Sequence, residues 1–132
     1  MKTKSSPYLL IFHEPYPDVH RKLSPKQRQE LVSQWNQWYD GLEANGKVEC
    51  GHPLQPKGRM VSVTRGKSVV DGPYAEGKEV VGGYFFLRVA SLAEATAIAK
   101  QCPSLPLGLR VEVRPIAEVS PALKGLRGRP AK

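Results

Sequence analysis

The chain has 132 residues, of which 40% are hydrophobic and 24% charged, and its formal net charge is +8. This length suits one domain with its own buried core. No apolar run approaches the ~18 residues that suggest a membrane-spanning helix, so the sequence predicts a soluble, cytoplasmic protein without membrane contact.

Basic residues concentrate near the two ends of the chain. Of the 20 lysine and arginine residues, two lie before residue 8 and four follow Glu118. The part of the chain from residue 8 to Glu118 therefore contains 14 basic and 12 acidic residues, a net charge of +2. A nucleic-acid-binding surface on the folded domain would instead require an excess of basic residues within that domain. The sequence therefore predicts flexible basic ends at 1–7 and 118–132 around one domain at 8–117.

The first predicted elements are a buried strand and a long helix. The strand is the apolar run at 8–12. Ser24 and Gln27 form a capping box around Pro25, which predicts a helix over 25–44. A short strand is expected at 47–50, after the glycine that ends this helix.

The second half of the chain is predicted to be mostly strand. Alternating patterns indicate a hairpin, a long strand with aromatic residues on both faces, and a last strand after a second helix. Their predicted ranges are 59–64 and 67–70, then 84–89, then the helix at 91–101, and finally 109–114. Without the hairpin, the order is βαββαβ, which predicts an α+β ferredoxin-like fold with both helices on one face of an antiparallel sheet. The other, apolar face predicts a two-fold homodimer that covers it.

A long polar connection, 71–84, joins the hairpin to the strand at 84–89 and reads DGPYAEGKEVVGGY. This stretch resembles the signature of the YCII-related family in its DGPF-domain branch, and further matches extend the resemblance over about 8–117. The resemblance implies a ferredoxin-like fold that pairs into a dimeric α/β barrel. Some relatives in the wider superfamily resemble small enzymes with a His–Asp pair acting on small aromatic or chlorinated rings. Other DGPF domains occur beside sigma-factor-like proteins, which implies a link to transcription.

Three residues are candidates for acid–base catalysis: Asp71, His13 and His52. If the strand ends converge, Asp71 would orient one of the two histidines and leave its other ring nitrogen as the base. Which histidine does so stays open at this point. The alternative for Asp71 is a turn cap, since aspartate before Gly-Pro accepts backbone amides.

Five further residues are candidates for the wall of a small-molecule pocket: Tyr74, Glu76, Tyr84, Trp35 and Trp38. The alternative for the two tryptophans is packing in the core, and for Glu76 an exposed or ion-paired position. Whether the domain is an enzyme stays open. The two cysteines lack metal-ligand spacing and no histidine–carboxylate pattern is present, so we expect no cofactor and no metal.

The C-terminal tail offers a function of a different class. Arg127 and Arg129 stand in an Arg-Gly-Arg-Pro sequence that resembles the core of an AT-hook. Such an arm lies in the narrow minor groove of A·T-rich DNA with its arginines pointing inward. The alternative is a disordered tail that only adds solubility.

Overall fold

The computed structural model describes residues 5–15, 19–71 and 79–123, with the backbone alone at Val19 and Asp71. This part of the chain contains six strands and two α-helices. None of the described helices is long and apolar enough to cross a membrane. In chain order the elements are β1 (Ser6–Pro15), α1 (Pro25–Ala44), β2 (Val48–Pro53), β3 (Met60–Thr64), β4 (Lys67–Asp71), β5 (Glu79–Val89), α2 (Leu92–Ala99) and β6 (Arg110–Pro115).

Four of the strands form one antiparallel sheet, the main sheet, in the order β2-β5-β1-β6. The hairpin β3–β4 forms a second, two-stranded sheet. The predicted ferredoxin-like α+β fold with an added hairpin is thereby confirmed. Strand β1 lies at the centre of the sheet because it pairs with both β5 and β6.

Helix α1 begins where the sequence predicts. The Ser24 hydroxyl accepts from the Gln27 amide at 3.1 Å, and the Gln27 side chain accepts from the Ser24 amide at 2.8 Å. These bonds satisfy two backbone amide groups that a helix start leaves without a partner. Gly46, just beyond the last turn, adopts a φ of 69°, a conformation that favours glycine.

The hydrophobic core lies on one face of the sheet, between the strands and both helices. Alternate residues of the two central strands point into it, among them Leu10, Phe12, Phe85 and Leu87, all nearly inaccessible to solvent. From the helices, α1 contributes Trp38 and Leu42, and α2 contributes Ala95, Ile98 and Ala99. We call this side of the sheet the inner face.

The intervening residues of the same strands lie on the opposite face. Leu9 faces Phe86 across the β1–β5 pairing, and Ile11 faces Tyr84. All four side chains are half-buried. We call this side, defined by these four residues, the outer face. The prediction that β5 carries aromatic residues on both faces is confirmed.

Candidate functional site

A cavity of about 420 Å³ lies between the inner face and helix α1. The ends of β1, β2 and β5 form one side of it, and three residues of α1 form the other. This volume is within the range of small-molecule sites, roughly 300–1,000 Å³. The lining residues are Phe12, Glu14, Trp35, Asn36, Tyr39, Gly51, His52, Pro53, Gly82, Gly83 and Phe85.

Aromatic rings make up much of the cavity wall. The ring planes of Phe12, Trp35 and Phe85 are almost mutually perpendicular, with pairwise angles of 88° and 89° and centroids 4.9–6.1 Å apart. Tyr39 contacts Phe85 in the same edge-to-face manner at 5.2 Å. The indole nitrogen of Trp35 donates to the Ser104 hydroxyl at 2.9 Å, which fixes the orientation of the ring. These contacts hold the wall in one arrangement without a ligand.

Glycines bring the backbone to the cavity surface at three positions. A Cβ atom at Gly83 would lie 2.8 Å from the carbonyl oxygen of His52, and one at Gly51 would collide with the Phe85 ring. A Cβ at Gly82 would occupy the place of the Glu14 carboxyl group. The strand register shifts here, so that Phe12 faces Gly83 and His13 faces Val81. The Gly-Gly pair thus allows a close backbone approach and a bulge.

The polar side chains of the cavity are few. Among the described lining residues, Glu14 brings the one carboxylate, and none is lysine or arginine. Asn36 adds an amide and Tyr39 a hydroxyl. Burial is the main cause that raises the pKa of Tyr39, followed by the nearby charge of Glu43. Tyr39 therefore stays protonated near neutral pH and can donate or accept a hydrogen bond.

His52 borders the cavity and also contacts a residue of the outer face. The residue lines the cavity, whereas its Nδ1 lies 2.7 Å from the hydroxyl of Tyr84. His52 and Tyr84 are direct partners in the β2–β5 register and therefore share one face of the sheet. Tyr84, predicted as a pocket residue, is thus placed beside His52 on the outer face and is not among the lining residues.

His13 also forms a pair with a carboxylate, and the partner is one the sequence did not suggest. Its Nε2 lies 2.9 Å from Oε1 of Glu112, and the other carboxylate oxygen of Glu112 contacts the guanidinium of Arg114. The bond from His13 and then that from Arg114 lower the pKa of Glu112. His13 follows the core residue Phe12 and is not among the cavity-lining residues. The pair therefore lies on the same side as the outer face.

The predicted aspartate–histidine pair is not tested. The backbone of Asp71 ends β4, where it faces Met60, but its side chain is outside the described part of the chain. Pairing of Asp71 with His13 or His52 stays a prediction. The pocket candidates Tyr74 and Glu76 lie outside the described residues as well, as do Arg127 and Arg129 of the tail.

The two tryptophans of α1 have different positions. Trp35 is half-buried and lines the cavity, as expected for a pocket residue. Trp38 is 9% exposed and belongs to the core, the alternative that the sequence left open. The sequence reasoning overlooked Asn36 and Tyr39, although Tyr39 follows Trp35 by four residues and so shares its helix face.

Metal and thiol chemistry find little support among the described residues. No three His, Cys, Asp or Glu side chains in that part of the chain cluster as metal ligands would. Cys102 belongs to the core, and burial raises the pKa of its thiol to about 11. Very little of the reactive thiolate would form there near neutral pH.

Comparison with known proteins gives one family. The model of the family described as YCII-related domain matches residues 8–120, which include both α-helices and all described strands except the first two residues of β1. No curated protein sequence matches the chain.

Proposed function

Since the chain belongs to the family of YCII-related domains, we propose that it is a small-molecule-binding domain whose ligand occupies the cavity between the inner face and α1. The cavity itself carries this proposal. Protein interiors are packed to crystal-like density and rarely leave voids much larger than a water molecule. A space of about 420 Å³ with fixed aromatic walls and a few polar groups is typical of a binding site.

A catalytic version of this proposal would pair Asp71 with one of the two histidines. His52 is among the residues that line the cavity, but its ring contacts Tyr84 on the outer face. His13 lies on the same side beside Glu112. A crystal structure that shows the Asp71 side chain would test the predicted pair, since a hydrogen bond requires that carboxylate within about 3 Å of a ring nitrogen of His13 or His52. An Asp71 side chain directed away from both histidines would leave binding without acid–base chemistry of this kind.

A fragment screen followed by NMR tests the binding proposal. The amides of Gly51, Gly82 and Gly83 and the indole of Trp35 report on the cavity, and Gly66 in the hairpin turn serves as a distant control. We expect one or more small aromatic fragments to shift the cavity signals in a saturable way and to leave Gly66 unchanged. A library that shifts none of the cavity signals at saturating concentration would contradict the proposal.

We further propose that the outer face contacts a second copy of the chain, as the family resemblance implies. Leu9, Ile11, Tyr84 and Phe86 form a continuous apolar surface on two adjacent strands. Substitution of Ile11 by aspartate should convert a dimer to a monomer in sedimentation velocity. The same change at Val32, which is 58% exposed on α1, is the matched control and should leave the dimer intact. A dimeric Ile11→Asp variant would place the contact elsewhere.

We also propose that the protein is cytoplasmic, which its cysteines support. Cys50 and Cys102 are free thiols, as in most proteins of reducing compartments.

The tail remains the basis of a second candidate function, DNA association. Its four basic residues after Glu118 and the Arg-Gly-Arg-Pro sequence support it. The test compares binding of an A·T-rich duplex by the full chain and by a chain that ends after Ser120. A minor-groove arm predicts loss of affinity on truncation, and the lost part should be strongly salt-dependent. Equal binding by both chains would exclude this role for the tail.

A further inference from the structure

We infer that the β3–β4 hairpin of one copy of the chain packs on a second copy through its exposed valines. This inference rests on the proposed contact between two copies, because it adds a second surface to that contact. Three observations carry it: the exposure of one hairpin face, the small area of the outer face, and the distribution of charge along the chain.

One face of the hairpin is apolar and open to solvent. Val61 faces Val70 in the strand register, and Val63 lies two residues further along β3, so the three side chains share a face. Val61, Val70 and Val63 are 67%, 54% and 68% exposed. We call this surface the valine face. Single exposed apolar residues are common on proteins, but an adjoining group favours a contact surface.

The described part of the chain does not cover this hairpin. Among the described strands, β3 and β4 pair only with each other and form a sheet separate from the main sheet. Every residue of β3 is exposed. An isolated two-stranded hairpin is marginally stable at best in water and needs a surface to pack on. A second copy is present whenever the chain is, so it suits a hairpin that needs permanent cover.

The outer face alone is too small for a stable contact between two copies. Leu9, Ile11, Tyr84 and Phe86 are half-buried. Together they expose on the order of 300 Å², since a whole large side chain covers roughly 150–250 Å². A specific interface buries about 800 Å² on each partner. In a two-fold dimer each copy donates its hairpin and receives that of its partner, so the valine face enlarges the contact twice.

The connection to the hairpin begins at a strand of the outer face. The hairpin is inserted between β2 and β5, which pair with each other, and β5 carries Tyr84 and Phe86. The Leu54 amide donates to the Gly82 carbonyl oxygen at 2.8 Å, which holds the start of the connection against β5. The hairpin therefore leaves the main sheet beside the surface that we propose as the contact with a second copy.

Charge favours docking of the hairpin on the body of another copy. Residues 54–70 carry a net charge of +4, from no acidic residue and four basic ones, Lys57, Arg59, Arg65 and Lys67. Without these four, the part from residue 8 to Glu118 contains 10 basic and 12 acidic residues, a net charge of −2. None of the four forms an ion pair with a described residue. Two hairpins therefore repel each other, whereas a hairpin and the rest of a partner domain attract.

The composition of the hairpin favours a protein surface over nucleic acid. Protein interfaces have an apolar centre and a polar rim, which is how the valines and the basic residues of the hairpin are arranged. Nucleic acid is held mainly by charged and polar contacts to phosphate, for which an exposed row of valines is not needed.

Paired variants of the full chain in sedimentation velocity test the inference. Val61→Asp should raise the dissociation constant of the dimer by roughly 100-fold or more, because each valine lost from an interface weakens it roughly tenfold and a two-fold dimer loses two. Ser62→Asp is the matched control, since it adds the same charge at the next exposed residue, on the opposite hairpin face. It should change the constant by less than roughly threefold. Dispersed amide signals of the main sheet show that each variant is folded.

A dimer of isotope-labelled and unlabelled chains in equal amounts locates the hairpin directly. We expect nuclear Overhauser effects between the methyl groups of Val61 and Val63 in one copy and protons of the other copy. Absence of these effects in a fully dimeric sample overturns the inference.

The inference and the proposed contact fail in different ways. If Ile11→Asp is monomeric while Val61→Asp dimerises as well as Ser62→Asp, the contact of the outer face stands and the role of the hairpin is overturned. A wild-type chain that stays monomeric at high concentration overturns both. Other occupants are tested with an A·T-rich duplex and with phosphatidylglycerol vesicles. If either shifts the Val61 and Val63 signals while dilution of the protein leaves them unchanged, the hairpin binds nucleic acid or lipid and the inference is overturned.

Discussion

The two faces of the main sheet are built from the same strands but differ in the number of polar groups they carry and in how those groups are paired. On the inner face, rings and aliphatic side chains pack against the helices and leave one cavity with few polar groups. On the outer side, charged residues are tied to each other, as in the His13–Glu112 and Arg88–Glu49 pairs. The surface of the outer face that a partner could cover is therefore mainly apolar.

This difference separates two roles. A surface whose described charges are already paired loses little when an apolar partner surface covers it, because few of those groups would be left without a bond. A pre-formed cavity suits a small ligand, because the walls need no rearrangement on binding. Strand β5 serves both roles, since Phe85 belongs to the inner face and Phe86 to the outer face.

The largest expected effect on stability comes from truncating Leu10, which is compared with the same change at its neighbour Ile11 on the other face. Leu10 is 0% exposed, so Leu10→Ala should lower the free energy of unfolding by about 2–5 kcal/mol. Ile11 is half-buried on the outer face, and Ile11→Ala should lower it clearly less at low protein concentration. Urea denaturation at low and high concentration measures both. At high concentration the loss for Ile11→Ala should increase, because dimerisation contributes to stability.

Equal losses for the two variants at low concentration would contradict the distinction between the faces. A loss for Ile11→Ala that does not depend on concentration would contradict the proposed contact with a second copy.

A smaller effect is expected at the glycines of the cavity. Gly83→Ala places its new methyl group against the backbone of His52, which cannot move alone, so the unfolding free energy should fall by about 1–3 kcal/mol. The atoms nearest to a new methyl group at Gly82 are those at the end of the Glu14 side chain, which can rotate away, so Gly82→Ala should cost clearly less. Thermal denaturation of the two variants checks the order. The reverse order would mean that the Glu14 carboxyl group is held rigidly.

The smallest effect concerns acid stability at the edge of the sheet. Bonds from Arg110 lower the pKa of Glu79, and those from His13 and Arg114 lower the pKa of Glu112. Because both folded-state pKa values lie below the ordinary 4.5, these carboxylates stabilise the fold above that pH. The contribution is lost as the pH falls through the folded-state values.

Thermal unfolding of wild type and Glu79→Gln as a function of pH measures this loss. The variant should be less stable near neutral pH, and the difference should vanish in acid. A difference that persists in acid would mean that Glu79 contributes through packing and not through its charge.

The sequence predicted those features that depend on neighbouring residues. Helix α1 followed from the capping box at Ser24 and from a face repeated every three to four residues, and the structure has the same bounds, Pro25–Ala44. The hairpin followed from alternation around Arg65 and Gly66. In contrast, β1 extends to Pro15 and β5 begins at Glu79, beyond the apolar runs. Hydrogen bonding between these two strands keeps their polar ends extended. The hydrophobic pattern of one strand alone does not show which strand it pairs with.

The candidate site was predicted only in part, for a related reason. Trp35 and His52 were identified and line the cavity. Glu14 was not among the candidates, because its position over Gly82 arises only when β1 and β5 pair. Glu112 lies 99 residues from His13 in sequence, so their contact required the strand order of the whole sheet.

The most direct test of the account is the location of a bound aromatic fragment from the screen. Intermolecular nuclear Overhauser effects between the protons of that fragment and the protein would report which face it occupies. The account predicts contacts to the rings of Trp35 and Tyr39, in the cavity on the inner face. Contacts to Tyr84 or Phe86 instead would place the ligand on the outer face and contradict the assignment of the two faces.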